Sequence, residues 1–308
     1  MAHSRFIKDT GLTLRMTTVM FLLGALFVAL VVTLMFVIGG DSPGLVLLIG
    51  LGGIGVAFFQ WWMSDTMALR AMGARVVTPE QAPELHGMID RLCVLADMPK
   101  PRVAISDTNL PNAFATGRSP NRSAVCVTTG ILRTLTAEEL EAVLAHELSH
   151  VAHRDVLVMT LASSAGIVAG MVTRGAQFGG LGLGRSRGNN NNGGALAFVA
   201  VLVVSLVVYA ISFLLLRLLS RYRELCADRS GAYLTQKPSA LASALTKISG
   251  EMNAVPERDL RAAQSMNAFF ITPAVRGLGL RTLTSTHPPL EQRLDQLARI
   301  AAQLGQTR

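Results

Sequence analysis

The chain has 308 residues, is half hydrophobic, and carries only 16% charged residues. That balance excludes an ordinary water-soluble domain and points to a membrane protein. The net charge of +8 invites a nucleic-acid partner, but no basic patch with interleaved aromatics occurs, and the cations cluster beside apolar segments as the positive-inside rule expects.

Residues 1–16 read as a cytoplasmic tail, because His3, Arg5, Lys8 and Arg15 favour retention on that side. Thr17 to Ile38 and Pro43 to Met63 contain no charge. At about 1.5 Å per residue each reaches across a hydrocarbon core of about 30 Å. Only Gly39 to Ser42 link them, so residues 17–63 are expected to form a transmembrane hairpin. A signal peptide is the alternative for the first run, but the run is long for one and no small-residue cleavage pattern follows.

Residues 64–155 read as the first part of a catalytic domain. Thr136 to Glu139 form a capping box that starts a helix. Leu140, Leu144, Leu148 and Val151 then recur at helical spacing and face the core. His146-Glu147-Leu148-Ser149-His150 lies within this helix. Histidines at i and i+4 share one face and can grip one metal ion, while Glu147, about 100° round the axis, stands beside it. A metal with an adjacent carboxylate activates water for hydrolysis at neutral pH. Three fixed positions are a weak pattern alone, and a surface helix that happens to carry histidines is the competing reading. His153 shares the face, but three ligands along one helix line cannot wrap a tetrahedral ion, so it reads as a supporting or surface residue. The cysteines Cys93, Cys126 and Cys226 are odd in number and widely spaced, as expected of reduced thiols in a cytoplasmic domain.

Residues 156–216 read as a second hairpin, from Val156 to Thr173 and from Ala195 to Leu216, joined by a flexible Gly/Asn-rich loop over 174–194. Val156 to Thr173 is short and contains Ser163, Ser164, Gly166 and Gly170. Arg174, Arg185 and Arg187 in the loop oppose the orientation that Arg217, Arg221 and Arg223 favour. This hairpin is then an insertion into one catalytic unit, which resumes over 217–308. The metal helix runs almost directly into the membrane at Val156, so the site is expected close to the bilayer surface.

A catalytic zinc needs a third protein ligand and an open position. Glu224 is the best candidate, with Asp228 one turn on to hydrogen-bond a ligand histidine. An exposed helix of alternating charge is the competing reading. Cys226 lies about 200° from Glu224 round the helix and would not face the metal with it.

Several motifs now stand in one order. They are an apolar pair, Asn112 to Gly117, Val127 to Gly130, His146 to His150 with Asp155, a second apolar pair, Glu224 to Asp228, and Thr286-His287-Pro288-Pro289 with Arg293. Together they resemble the HtpX family of membrane-bound zinc metalloproteases, in the gluzincin group, over nearly the whole chain. The resemblance implies an α+β fold: a mostly helical integral membrane protein with about four transmembrane helices and a protease domain of helices and a small β-sheet. It implies one Zn2+ per chain on His146, His150 and Glu224, with Glu147 as the base and Asp228 behind a ligand. It also implies that Asn112, Ala113, Phe114 and Ala115 form an edge strand that binds substrate backbone by β-augmentation, although a plain structural hairpin fits the same residues. His287, on a rigid turn before two prolines, either reaches the cleft or pins the last helix. Arg293 is expected to bind a carboxylate near the site.

The implied function is an endopeptidase of the bacterial inner membrane, multi-pass, with its site facing the cytoplasm. Its partners would be the lipid bilayer and polypeptide substrates, namely misfolded or damaged membrane proteins in a stress response. An intramembrane protease is disfavoured by Glu138, Glu139, Glu141, Arg154 and Asp155 around the motif. A prenyl-protein endopeptidase would have more spanning segments. A membrane adaptor or chaperone with structural zinc would have no use for Glu147.

Overall fold

An uncharged run in a bilayer has one economical structure, because a helix satisfies its own backbone hydrogen bonds. In the computed structural model, which describes residues 10–39, 43–155, 191–254 and 287–305, the two amino-terminal runs form α1 (Thr10–Gly39) and α2 (Pro43–Ala71). Pro43 opens α2 where its missing N–H costs nothing. Leu14, Phe21 and Val28 on α1, and Leu47, Leu51, Ile54 and Phe58 on α2, are exposed, as suits helices that are apolar all round. α2 continues past Met63 to Ala71, so its last turns overlap the stretch read as soluble.

Two described stretches, Thr10–Thr33 and Leu202–Thr235, are long and apolar enough to cross a bilayer. The described apolar part of the second run, Ile54–Met63, is shorter. Val156 to Thr173 lies outside the described residues, as does 174–190 of the expected loop. The helix that carries the last apolar run begins at Asn191, inside the stretch read as flexible. Helix propagation from the apolar run at Ala195 outweighs the weak propensity of Asn and Gly there.

The chain divides into two units. One consists of Met1–Thr13, Met63–Leu157 and Ser220–Arg308, the other of Leu14–Trp62 and Val158–Leu219. The first holds a four-stranded sheet built from β1 (Ala74–Val76), β2 (Arg102–Ser106), β3 (Ala113–Ser119) and β4 (Arg122–Thr128) in the order β1-β2-β4-β3. β2 and β4 are parallel, and the other two pairings are antiparallel. β3 is therefore an edge strand. The β3–β4 ladder shifts register between Gly117 and Ser119. Gly117 has φ 138°, and a Cβ there would strike the Arg122 carbonyl oxygen, so only glycine fits.

Helices α3 (Pro83–Ala96), α4 (Thr129–Thr134), α5 (Ala137–Ala152), the end of α6 (Asn191–Thr235), α7 (Pro238–Ala254) and α8 (Leu290–Gln303) complete this unit. Its core joins Ile89 and Leu92 of α3, Val103, Val125 and Val127 of the sheet, Leu144 and Leu148 of α5, Leu241, Leu245 and Ile248 of α7, and Leu297 and Ile300 of α8. All three cysteines are free and buried. α5 is the central element: the periodic stripe is buried as expected, but so is every other residue from Ala142 to Val151. The sheet edge, α3 and α7 all pack on it, which a one-sided periodicity does not reveal.

Both halves of the α5 capping box are formed: the Thr136 hydroxyl accepts the Glu139 N–H, and the Glu139 carboxylate accepts the Thr136 N–H. That carboxylate also accepts from Ser243 Oγ at 2.6 Å and Lys247 Nζ at 2.8 Å on α7. Burial alone would raise the Glu139 carboxyl, but these bonds outweigh it and hold the group at about 2, below its ordinary 4.5. The stabilisation is present above pH 4.5 and is lost as pH falls towards 2. Denaturant unfolding in detergent is expected to show a loss of about 1 kcal/mol for Thr136→Ala. It should also show a flatter acid limb for Glu139→Gln than for wild type, and coincident acid limbs would contradict this assignment.

Candidate active site

His146 and His150 occupy successive turns of α5, and their Nε2 atoms approach to 3.3 Å. Glu224 on α6 sets one carboxylate oxygen 3.6 Å from His146 Nε2 and the other 3.5 Å from His150 Nε2. A tetrahedral ion with bonds of about 2.0–2.1 Å holds its ligand atoms about 3.3–3.5 Å apart. The donor set therefore fits a metal, with one tetrahedral position left open. Among the described residues these three are the group able to hold an ion, and Cys226 is not in it.

The rings point inward because their other nitrogens are held. His146 Nδ1 lies 2.9 Å from Asp228 Oδ1. Asp228 in turn accepts from Arg293 Nε at 2.7 Å and Nη2 at 2.6 Å. His150 Nδ1 lies 2.6 Å from Asp155 Oδ2, and Arg223 Nε pairs with that same oxygen at 3.0 Å. With Nδ1 committed to a carboxylate, Nε2 is the nitrogen offered to a metal. α6 crosses α5 at the ligand itself: a Cβ on Gly231 would come within 2.9 Å of the His146 backbone nitrogen.

Glu147 is 5% exposed, and its Oε2 accepts the Ala115 N–H of β3 at 2.9 Å. Burial pushes its carboxyl above the usual range, against the pull of His146 and His150. A raised carboxyl suits proton transfer near neutral pH. Strand alternation explains which edge residues face the site. Asn112 turns inward, its carbonyl accepting from Thr128 N and its N–H donating to Thr128 Oγ1, both at 2.9 Å. Phe114 packs with Ala68, Leu69 and Met72. Ala113 and Ala115 are the two that turn their backbone to the open edge. Beyond Ala115 a small, partly open cleft is lined by Thr116, Gly117, Arg118, His150, Val151 and Arg154.

His287 Nδ1 comes to 3.2 Å of Glu224 Oε2, and Arg293 Nη1 to 3.8 Å of the same oxygen. His153 Nδ1 instead meets the Ser149 carbonyl oxygen at 2.8 Å, at the end of α5. Sequence reasoning placed Asp155 in the motif and among the charges around it without assigning it a contact, and took Arg223 only as a flanking cation. Asp155 follows Arg154, whose φ is 58°, so helical spacing could not place it. Its one signal was an acid just past the metal helix.

Two histidines and a glutamate around an open position, with a buried carboxylate beside them, define a metallohydrolase. Residues 79–301 match the model of peptidase family M48. The chain is 53% identical to Protease HtpX homolog 1 of Streptomyces coelicolor, covering 99% of this chain and 97% of that protein. It is 48% identical to Protease HtpX homolog 2 of Methanosarcina acetivorans, over 97% and 98% of the two chains. The crystal structure of S. mikatae Ste24p shares the fold, with a TM-score of 0.52 at 17% identity over 92% of this chain and 65% of that one. The chain belongs to peptidase family M48, among its HtpX-type membrane metalloproteases.

Burial lowers the His150 imidazole, but Asp155 and Glu224 outweigh it and push the group up to about 10 from 6.5. The stabilisation from that charge is fully present below pH 6.5 and is lost as pH rises towards 10. Metal must displace this proton. Affinity for added zinc is thus expected to rise with pH, and calorimetry in buffers of different ionisation heat should show proton release. Binding that is independent of pH would contradict the assignment. Gly231→Ala should weaken zinc binding by displacing α6 from His146, and an unchanged affinity would show that the helices can part freely there.

Proposed function

We propose that this chain is a zinc endopeptidase of the bacterial inner membrane that cuts misfolded or damaged membrane proteins at the cytoplasmic face. The observation that carries the reading is Glu147, pinned by the Ala115 N–H at 2.9 Å beside His146, His150 and Glu224. That arrangement joins an edge strand, a proton carrier and a metal-ligand set in one place. Zinc is favoured by two imidazoles and one carboxylate at tetrahedral spacing. When bound, zinc supplies Lewis-acid polarisation of a carbonyl and acidifies water.

The protein's own groups do the rest. The outward backbone of Ala113 and the carbonyl of Ala115, whose own N–H is taken by Glu147, align an extended substrate strand at the edge of β3. Because Glu147 Oε2 is engaged by Ala115, Oε1 is the atom that receives the proton from attacking water and returns it to the leaving amine. His287 steadies Glu224, and Asp228 keeps His146 in the tautomer that offers Nε2. The cytoplasmic assignment draws on the cations of residues 1–16 and on Arg217, Arg221 and Arg223. In this organisation residues 17–63 and 156–216 enter the bilayer as four spans, and 64–155 with 217–308 form the catalytic domain. Protease applied outside intact spheroplasts is then expected to spare both catalytic segments, and external cutting within them would reverse the orientation.

The chemistry is tested by Glu147→Gln in detergent, with zinc loaded and an unfolded protein as substrate. The variant is expected to bind one zinc and to cut about 10²–10⁴-fold more slowly. Equal cleavage would remove Glu147 from the mechanism.

A further inference from the structure

We infer that Asp155 and Arg223 form a clamp that positions the His150 ring for the metal and locks the helix of the third ligand onto the helix of the first two. The inference rests on the metalloprotease reading and goes beyond it, since neither residue touches substrate or metal.

The geometry is a chain of three buried groups. His150, Asp155 and Arg223 are 7%, 1% and 8% exposed. The imidazole Nδ1 and the guanidinium Nε meet the same carboxylate oxygen, at 2.6 Å and 3.0 Å. The pattern repeats on the other ligand, where His146 leans on Asp228 and Asp228 on Arg293. Each ligand histidine thus has its own aspartate, and each aspartate its own arginine.

Asp228 and Arg293 sit on regular helices, α6 and α8, so backbone hydrogen bonds fix their positions. Asp155 lies beyond the end of α5, after the left-handed Arg154. Arg223 pairs with its carboxylate from α6 and so ties the residue just past α5 to the helix of the third ligand. A buried carboxylate against a neutral imidazole would leave an uncompensated charge, which the guanidinium removes.

Arg223 directly precedes Glu224, so the clamp joins α6 to α5 on the His150 side as Asp228 does on the His146 side. In sequence, residues 156–222 separate the two clamp residues. The chain leaves the metal helix at Asp155 and returns with the third ligand beside Arg223, and the ion pair joins these two points. Displacing α6 against α5 would release Asp155 and let the His150 ring turn.

The test is a zinc competition titration of the full-length protein in detergent against a fluorescent chelator, with the cobalt-loaded absorption spectrum recorded for each variant. One zinc bound by wild type is the control for the metalloprotease reading, and failure there sinks that reading and not the clamp alone. With wild type binding, Asp155→Asn is expected to bind zinc about 10–100-fold more weakly, with an altered cobalt spectrum. Arg223→Gln should weaken binding less, and the double variant should bind no more weakly than Asp155→Asn, because Arg223 acts through Asp155. Metal-free melting temperatures separate positioning from general destabilisation. Wild-type zinc affinity and cobalt spectrum in Asp155→Asn would overturn the clamp. Should Asp155→Asn fail to fold, the same unchanged pair of readouts in Arg223→Gln would overturn it.

Discussion

Burial of charge is the constraint on which this protein's catalytic unit depends. Glu147, Asp155, Glu224 and Asp228 are all nearly inaccessible, and so are Arg223 and Arg293. When His146 and His150 are neutral, as metal ligands must be, four ionised carboxylates against two guanidiniums leave an excess of two negative charges. Uncompensated charge of that size is very costly in a low-dielectric interior. A divalent cation between His146, His150 and Glu224 would balance it, and donor spacings of 3.3–3.6 Å lie close to those of a tetrahedral ion. Ligand geometry and charge balance therefore demand the same occupant.

The scaffold follows from that demand. A buried polar site costs less when its groups face partners of fixed position. α5 is started by a capping box tied to α7, which fixes where its two histidines fall. α6 contributes Arg223, Glu224 and Asp228 from adjacent turns, and Gly231 lets it approach the backbone of His146. α8 returns Arg293 beneath Asp228. On the remaining side β3 supplies an N–H to Glu147. The edge strand thereby also orients the Glu147 carboxylate.

Much of this was legible in sequence because helices have one period. The spacing of His146 and His150, and of Glu224 and Asp228, identifies their faces before any coordinates. Where the chain leaves regular structure that logic stops. Asp155 stands beyond a left-handed residue, and no periodicity predicts that it bends back to His150. Arg223 is indistinguishable in sequence from a membrane-flanking cation. The edge strand was readable as a strand, but only the β3–β4 register shows that Ala113 and Ala115 face outward while Asn112 turns to Thr128. Low-complexity composition at Asn191 and Asn192 suggested a linker, whereas the apolar run behind them extends the helix. Of the four expected membrane segments, the described residues contain two that are long and apolar enough to cross.

The measurement that tests the central claim most directly is zinc K-edge X-ray absorption on the purified full-length protein. The account predicts a four-coordinate ion with two imidazole nitrogens at about 2.0–2.1 Å and only oxygen besides, at about 2.0–2.2 Å. Sulfur scattering at about 2.3 Å, which would bring in Cys226, or a protein that retains no zinc, would contradict it.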